Sequence, residues 1–298
     1  MRLYLKQARF TWLAATLTCM VWSSSADADS PTSNLAIGVS GGLEHFHLEE
    51  FSGNGSSLLT ESGYRYVITA LLDNRDRYDP QSSLLYHLEA ASYWGQVDYD
   101  GQSQSVDPTQ SNLPFNSQTD YQGGRGEASL GYRFKPSILP RGIEVLGGIG
   151  LDAWSRRIKD GTTINGTPVS GIKEEYQAYY GKIALGMTDL IPFSWRNHLQ
   201  VGLKMPFNIN EDVKLGAVGY DSDVSVSPGN SPSGFIKLVM ESRPDKDKPG
   251  NLLISIYYDG FRFDPSSSKT VTRNGNPIQV WQPETHIDII GVQAGYRF

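Results

Sequence analysis

Cysteine is nearly absent from this chain: Cys19 is the only one in 298 residues. Beyond that segment there is no disulfide framework, no thiolate metal site and no cysteine nucleophile. Long apolar runs are missing too. After residue 28 no stretch of about 18 apolar residues occurs, so helical membrane spans are excluded on length alone. Basic charge is short, at 26 Lys and Arg against 32 Asp and Glu, which makes nucleic acid a poor partner. A recognisable Ser/His pairing is also lacking, so no serine hydrolase nucleophile can be named.

What is present begins at the N-terminus. Arg2, Lys6 and Arg9 precede an apolar stretch from Phe10 to Trp22, and Ala26-Asp27-Ala28 offers a small-residue cleavage site. That order reads as a secretory signal over residues 1–28, leaving 29–298 as one mature domain. Cys19 follows Thr16-Leu17-Thr18, a poor lipobox, so lipidation is not expected. Removing the signal takes three basic and one acidic residue with it and leaves the remainder more acidic.

The mature sequence alternates. Ile290, Val292, Ala294, Tyr296 and Phe298 interleave with Ile289, Gly291, Gln293, Gly295 and Arg297, giving one wholly apolar face that ends on an aromatic residue. Leu199, Val201, Leu203, Met205 and Phe207 interleave in the same way with His198, Gln200, Gly202 and Lys204. A helix cannot keep period two for so long. Similar runs at 35–48, 63–72, 84–99, 121–134, 142–158, 179–187, 236–240 and 252–258 bring the count to about ten strands, with eight and twelve the neighbouring even numbers. Leu203 is thereby placed on lipid and Gly202 on the lumen, where a charge should cost less.

Connection lengths support closure. Compact Pro-bearing turns at 74–83, 135–141, 190–195 and 243–250 alternate with long polar stretches at 101–119, 159–175, 210–233 and 264–285. Aromatic residues mark the expected interfaces: Tyr132, Phe134, Phe193, Trp195, Tyr296 and Phe298 at one end, and Trp94, Tyr179, Phe207 and Phe261 at the other. The fold class is therefore all-β, a single antiparallel transmembrane barrel with short periplasmic turns and long extracellular loops.

The C-terminal strand, with Tyr296 and Phe298, resembles that of bacterial outer-membrane β-barrel proteins. In those proteins the final aromatic strand is the signal for the barrel-assembly machinery. The resemblance implies export to the outer membrane, with membrane lipid and lipopolysaccharide as partners and a monomeric state. Basic loop residues that could meet lipopolysaccharide, Lys159, Lys173, Lys214, Lys269 and Arg273, are scattered.

Candidate chemistry lies on the other face. Alternation turns Arg65, His87, Glu89, Arg125, Glu127, Arg133, Glu144, Asp152, Lys182, His198, Lys204, Lys237, Glu241 and Asp259 into the lumen. In so narrow an interior opposite charges can pair across the barrel and leave no wide channel, although a narrow path for a small polar solute is the competing reading. A rim site is the third. Asp98 and Asp100 end the third strand and His286 and Asp288 begin the last, an arrangement similar in architecture to the omptin proteases, where carboxylates and a His-Asp pair activate water. The matching fourth loop, Tyr220-Asp221-Ser222-Asp223, contains no His. Gly147-Gly148-Ile149-Gly150 lacks the helix of a dinucleotide site, and its glycines are expected to ease strand packing. Acidic loops around Asp98, Asp100 and Asp107, or Asp221 and Asp223, match no dedicated calcium loop, so neither metal nor cofactor is expected.

Deletion of Phe298 should impair barrel assembly while leaving export intact, read as loss of the heat-modifiable band on gels of membrane fractions; normal heat-modifiability of the deletion would remove the terminal residue from the signal.

Overall fold

The computed structural model describes residues 35–74, 84–102, 113–134, 142–190, 195–243 and 250–298. The segment read from sequence as an export signal, with Cys19, together with much of the four compact turns, Asp107 and Phe193, lies outside the described residues. In chain order the strands are β1 (Leu35–Phe51), β2 (Ser57–Asn74), β3 (Leu84–Gln102), β4 (Pro114–Phe134), β5 (Ile143–Ile158), β6 (Gly161–Thr163), β7 (Pro168–Val169), β8 (Lys173–Thr188), β9 (Arg196–Val213), β10 (Val224–Val226), β11 (Gly229–Ser231), β12 (Ser233–Glu241), β13 (Asn251–Asp264), β14 (Lys269–Arg273), β15 (Asn276–Val280) and β16 (Glu284–Arg297).

Ten of these form the wall, in the order β3-β2-β1-β16-β13-β12-β9-β8-β5-β4, and the β3–β4 pairing closes the ring. The first and last strands meet antiparallel from Gly38↔Arg297 to Phe51↔Glu284. Closure leaves no sheet edge, the condition for β-structure to stand in hydrocarbon.

The exterior is apolar only part of the way up. On β9 it presents Val201, Leu203, Met205 and Phe207, each about half exposed, and on β16 Ile290, Val292 and Phe298. Past this band the same face turns polar: Asp98 and Asp100 on β3, Gln118 and Gln122 on β4, Arg157 on β5, Lys173 and Gln177 on β8 and Asn210 on β9. About ten residues at ~3.4 Å, tilted ~40°, rise about 25 Å, which is the height of a lipid-facing band. The strands therefore outrun the membrane by several residues at the end opposite the termini. Segments read as loop from sequence are partly wall: β4 starts at Pro114, not near Tyr121, and β9 continues to Val213.

The change of surroundings on β9 coincides with a bulge. Tyr180 pairs with Pro206 and Tyr179 with Asn208, so Phe207 is the extra residue, beside a proline that cannot donate to the ladder. Beyond the wall, β14 and β15 form a hairpin turned by Asn274 and Gly275, both at positive φ, as a tight two-residue turn requires. Val213, Leu215, Val224, Val226 and Val271 gather the outer segments into an apolar cluster of their own.

Aromatic residues ring the band as expected at Tyr132, Phe134, Tyr296, Phe298, Trp94, Tyr179 and Phe207, and Tyr66 stacks with Trp94 at 6.1 Å. Phe261 is a correction. It shares the parity of Tyr257 and Asp259 and lies inside, 2% exposed, against Tyr180 and Phe263. Gly202 is a second correction. A Cβ there would sit 2.3 Å from the Ile183 carbonyl oxygen and 2.6 Å from the Phe235 ring, so no side chain fits and a charge would not be cheap.

Leu203→Arg should destabilise the barrel by ~2–4 kcal/mol in denaturant titrations from lipid vesicles, whereas Asn210→Arg, on the same face above the band, should change stability little. Equal costs would place the apolar band elsewhere.

Candidate functional site: the charged lumen and the chamber above it

Strand parity, once fixed by the lipid face, sends every second residue inward, and these residues stack in layers. Nearest the termini, Arg297 of β16 pairs with Asp73 and holds Glu241 at 2.9 Å, while Arg133 (2.9 Å), His198 (2.8 Å) and Thr188 (3.1 Å) converge on Glu144. Next, Lys237 and His87 meet Glu89, Lys182 and Tyr180 meet Glu127, and Lys204 reaches Asp259 at 2.6 Å. Above these, Glu44 accepts from Arg65 (2.8 Å), Arg125 (2.6 Å) and the Tyr257 hydroxyl (2.6 Å), and Tyr93 donates to Asp152 at 2.5 Å. The inward residues expected from sequence are thus all lumenal.

Glycine makes room for two of these groups. A Cβ at Gly150 would lie 2.3 Å from the Tyr180 ring and one at Gly291 2.2 Å from the Tyr257 ring. Gly150 therefore serves side-chain packing, as the sequence reading of that glycine run expects.

An aromatic layer follows, at the height where the exterior turns polar. Phe46 and Tyr121 pack at 4.6 Å, Trp154 and Tyr176 stack at 4.8 Å, and Phe263 stacks on Trp154 at 6.3 Å. The Arg65 guanidinium lies 4.2 Å from the Phe46 ring centre and the Lys204 ammonium 4.6 Å from that of Phe261.

Above this floor sits a chamber that the sequence reading missed. Arg156 (β5) reaches Glu50 (β1) at 3.1 Å, Glu61 (β2) at 2.9 Å and Glu174 (β8) at 2.7 Å. Glu61 also accepts from Thr119 and Tyr121, Glu174 from Tyr176, and Glu50 from Gln282. Glu211 (β9) turns into the same space, 1% exposed, with no hydrogen bond to either oxygen. These groups lie past the apolar band. Burial, opposed by Arg156 and reinforced by Glu174 and Glu61, pushes Glu50 up to about 7, and burial with Glu174 and Glu50 pushes Glu211 up too.

Several lumenal residues were also overlooked nearer the membrane, namely Glu44, Asp73 and Arg297. The signal was available in each case: parity counted onward from Leu43, Leu72 and Phe298.

The rim residues are not brought together. Asp98 and Asp100 are exposed on the exterior of β3, and His286 and Asp288 are half-buried on that of β16, with β2 and β1 between. His286 lies 3.0 Å from Glu284, and Asp288 accepts from Arg262 (2.7 Å) and Tyr258 (2.5 Å). Among the described residues no three His, Cys, Asp or Glu side chains converge as a ready metal-ligand set.

No protein-family model matches the chain, and no curated protein does. Among solved structures, the outer membrane protease OmpT from Escherichia coli is similar over 92% of this chain and 99% of that one, with a TM-score of 0.54 and 10% identity. The fold is that of an outer-membrane β-barrel. The translocator domain of the autotransporter NalP from Neisseria meningitidis (TM-score 0.37, 9% identity, 95% and 96% of the two chains) and the attachment protein Ail of Yersinia pestis (0.29, 10%, 89% and 99%) are more distant. At such identities the likeness is one of fold.

The raised Glu50 and Glu211 give stability a sign with pH. Between about 4.5 and 7 the folded barrel keeps a proton on Glu50 that the unfolded chain releases, so stability is full below that window and falls as pH rises through it. Thermal unfolding in chelator-treated micelles should show a lower midpoint at pH 8 than at pH 5, and Glu50→Gln should flatten the difference. An unchanged slope in the variant would assign the effect to other groups.

Proposed function

We propose that this protein is a non-enzymatic component of the bacterial outer membrane whose lumen is closed by its own ion pairs, and whose extracellular end carries recognition or a structural role in the envelope. Export on a cleaved signal over residues 1–28, insertion by the barrel-assembly machinery through Tyr296 and Phe298, contact with membrane lipid and lipopolysaccharide, and a monomeric state belong to the same reading. Nucleic acid is not among its partners.

The observation that carries the closed lumen is Glu44. It is fully buried on β1 and bonded by Arg65 of β2, Arg125 of β4 and Tyr257 of β13, so one carboxylate ties together strands from both halves of the wall. A carboxylate and two guanidiniums held this way have exchanged water for each other, and water-filled passage between them requires breaking the set. Against an enzyme stands the exterior placement of Asp98, Asp100, His286 and Asp288, whose partners are other than one another.

One observation favours a narrow solute path as a second reading. A cavity of about 40 Å³, with room for two or three waters, is bordered by His87, Glu89, Glu127, Lys182 and Lys237 near the termini end.

Single-channel recording decides between them. The wild-type barrel in planar bilayers should conduct little or nothing, and Glu44→Gln, which removes the carboxylate partner of Arg65 and leaves Arg125 only Asp259 at 3.5 Å, should either lower the unfolding midpoint or open an anion-selective leak. A large, steady wild-type conductance whose selectivity follows Lys204→Met with stability unchanged would make the protein a diffusion channel.

A further inference from the structure

The chamber above the aromatic floor holds more carboxyl groups than its one guanidinium can pair. Among the described residues four carboxylates, Glu50, Glu61, Glu174 and Glu211, face one guanidinium, Arg156, and no Lys or His side chain pairs with any of them. Glu61 is satisfied by Arg156, Thr119 and Tyr121. The others are not. Glu50 bonds through Oε1 and Glu174 through Oε2, while neither oxygen of Glu211 is bonded. Both oxygens of Glu211 on β9 are thus buried without a hydrogen-bond donor, and the second oxygens of Glu50 on β1 and Glu174 on β8 take none from the described residues.

Buried carboxylates without partners are costly, and retained ones are paired or bound to cations. The Tyr176 hydroxyl beside Glu211 does not discharge this need, because it gives its proton to Glu174. Water can solvate free oxygens, but the charge that Arg156 leaves unpaired must be met by protons or by a cation. Glu50 and Glu174 keep slight exposure at 5% and 8%, so the chamber is not sealed from solvent.

We propose that this chamber is a cation-binding site, with Glu211, Glu174 and Glu50 supplying the ligand oxygens and Arg156 and Glu61 forming its fixed wall. Oxygen donors of this kind suit a hard divalent ion, whose remaining positions water would fill, or a compact organic cation lying on the Tyr176–Trp154 stack. Because the three carboxylates do not converge as drawn, an inorganic ion draws them inward by side-chain rotation; an organic cation spans them. The site is distinct from Asp98, Asp100, Asp221 and Asp223, which lie exposed on the exterior and the outer loops.

The test uses the refolded barrel in lipopolysaccharide-free detergent micelles, titrated calorimetrically with calcium chloride and separately with methylguanidinium chloride, alongside thermal melts with each. Saturable binding near one equivalent with a raised unfolding midpoint is expected, weakened about tenfold or more in Glu211→Gln and unaffected in Glu284→Gln on the exterior. Calcium alone binding assigns an inorganic occupant, and methylguanidinium alone an organic one. If Glu211→Gln fails to fold, Glu174→Gln replaces it. Absence of binding by both probes, or binding equal in wild type and both chamber variants, would overturn the site and leave protons as the only neutralising agents.

Discussion

Each charged side chain that the barrel wall turns inward has lost most of its water, and its partner must come from another strand. A single strand presents alternate residues to lipid, so it cannot supply an opposite charge beside its own on the same face except two residues away. The lumen solves this by crossing. Glu44 on β1 takes cations from β2 and β4, Lys204 on β9 takes Asp259 on β13, and Arg156 on β5 takes carboxylates from β1, β2 and β8. The arrangement holds only while the ring is closed and in register, because a one-residue slip would carry every charge to the lipid face.

That constraint links interior to exterior. Where the outer surface is apolar the lumen is ionic, and where the outer surface becomes polar the lumen becomes aromatic, with Phe46, Trp154, Phe261 and Phe263 inside. Above the membrane the outer face of the wall sees water, so the interior must supply the apolar core that lipid-facing residues cannot provide there. The upper part of the barrel is thus organised like a soluble β-barrel standing on a membrane one.

The architecture was legible because lipid contact forces strict alternation, and Leu199–Phe207 and Ile290–Phe298 show it without interruption. The lumenal charges of the apolar band were legible by the same parity. Phe261 was misread because an aromatic residue near a strand end fits a girdle and a core equally well until parity is counted from Asp259. The chamber was invisible for a related reason. Glu50, Glu174 and Glu211 belong to stretches where the alternation is reversed, with Leu48, Tyr176, Ile209 and Val213 inside and a polar outer face, so hydrophobicity no longer marks the lipid side. Their convergence on Arg156 depends on strand order and shear, which no single strand encodes.

Closing the ring and satisfying the lumen are one event. The last strand brings Arg297 to Asp73 of β2 and Gln293 to Ser40 of β1, and β13 beside it brings Tyr257 to Glu44. Before β16 meets β1, Asp73 lacks the Arg297 contact and Glu44 the Tyr257 hydroxyl, each in a half-formed interior that still admits water. After closure the same groups are dry and paired. The C-terminal strand therefore has a physical role of its own: its lumenal face converts an open, hydrated sheet into a barrel whose interior polar groups have no cheaper arrangement, and this makes the closed register the stable one.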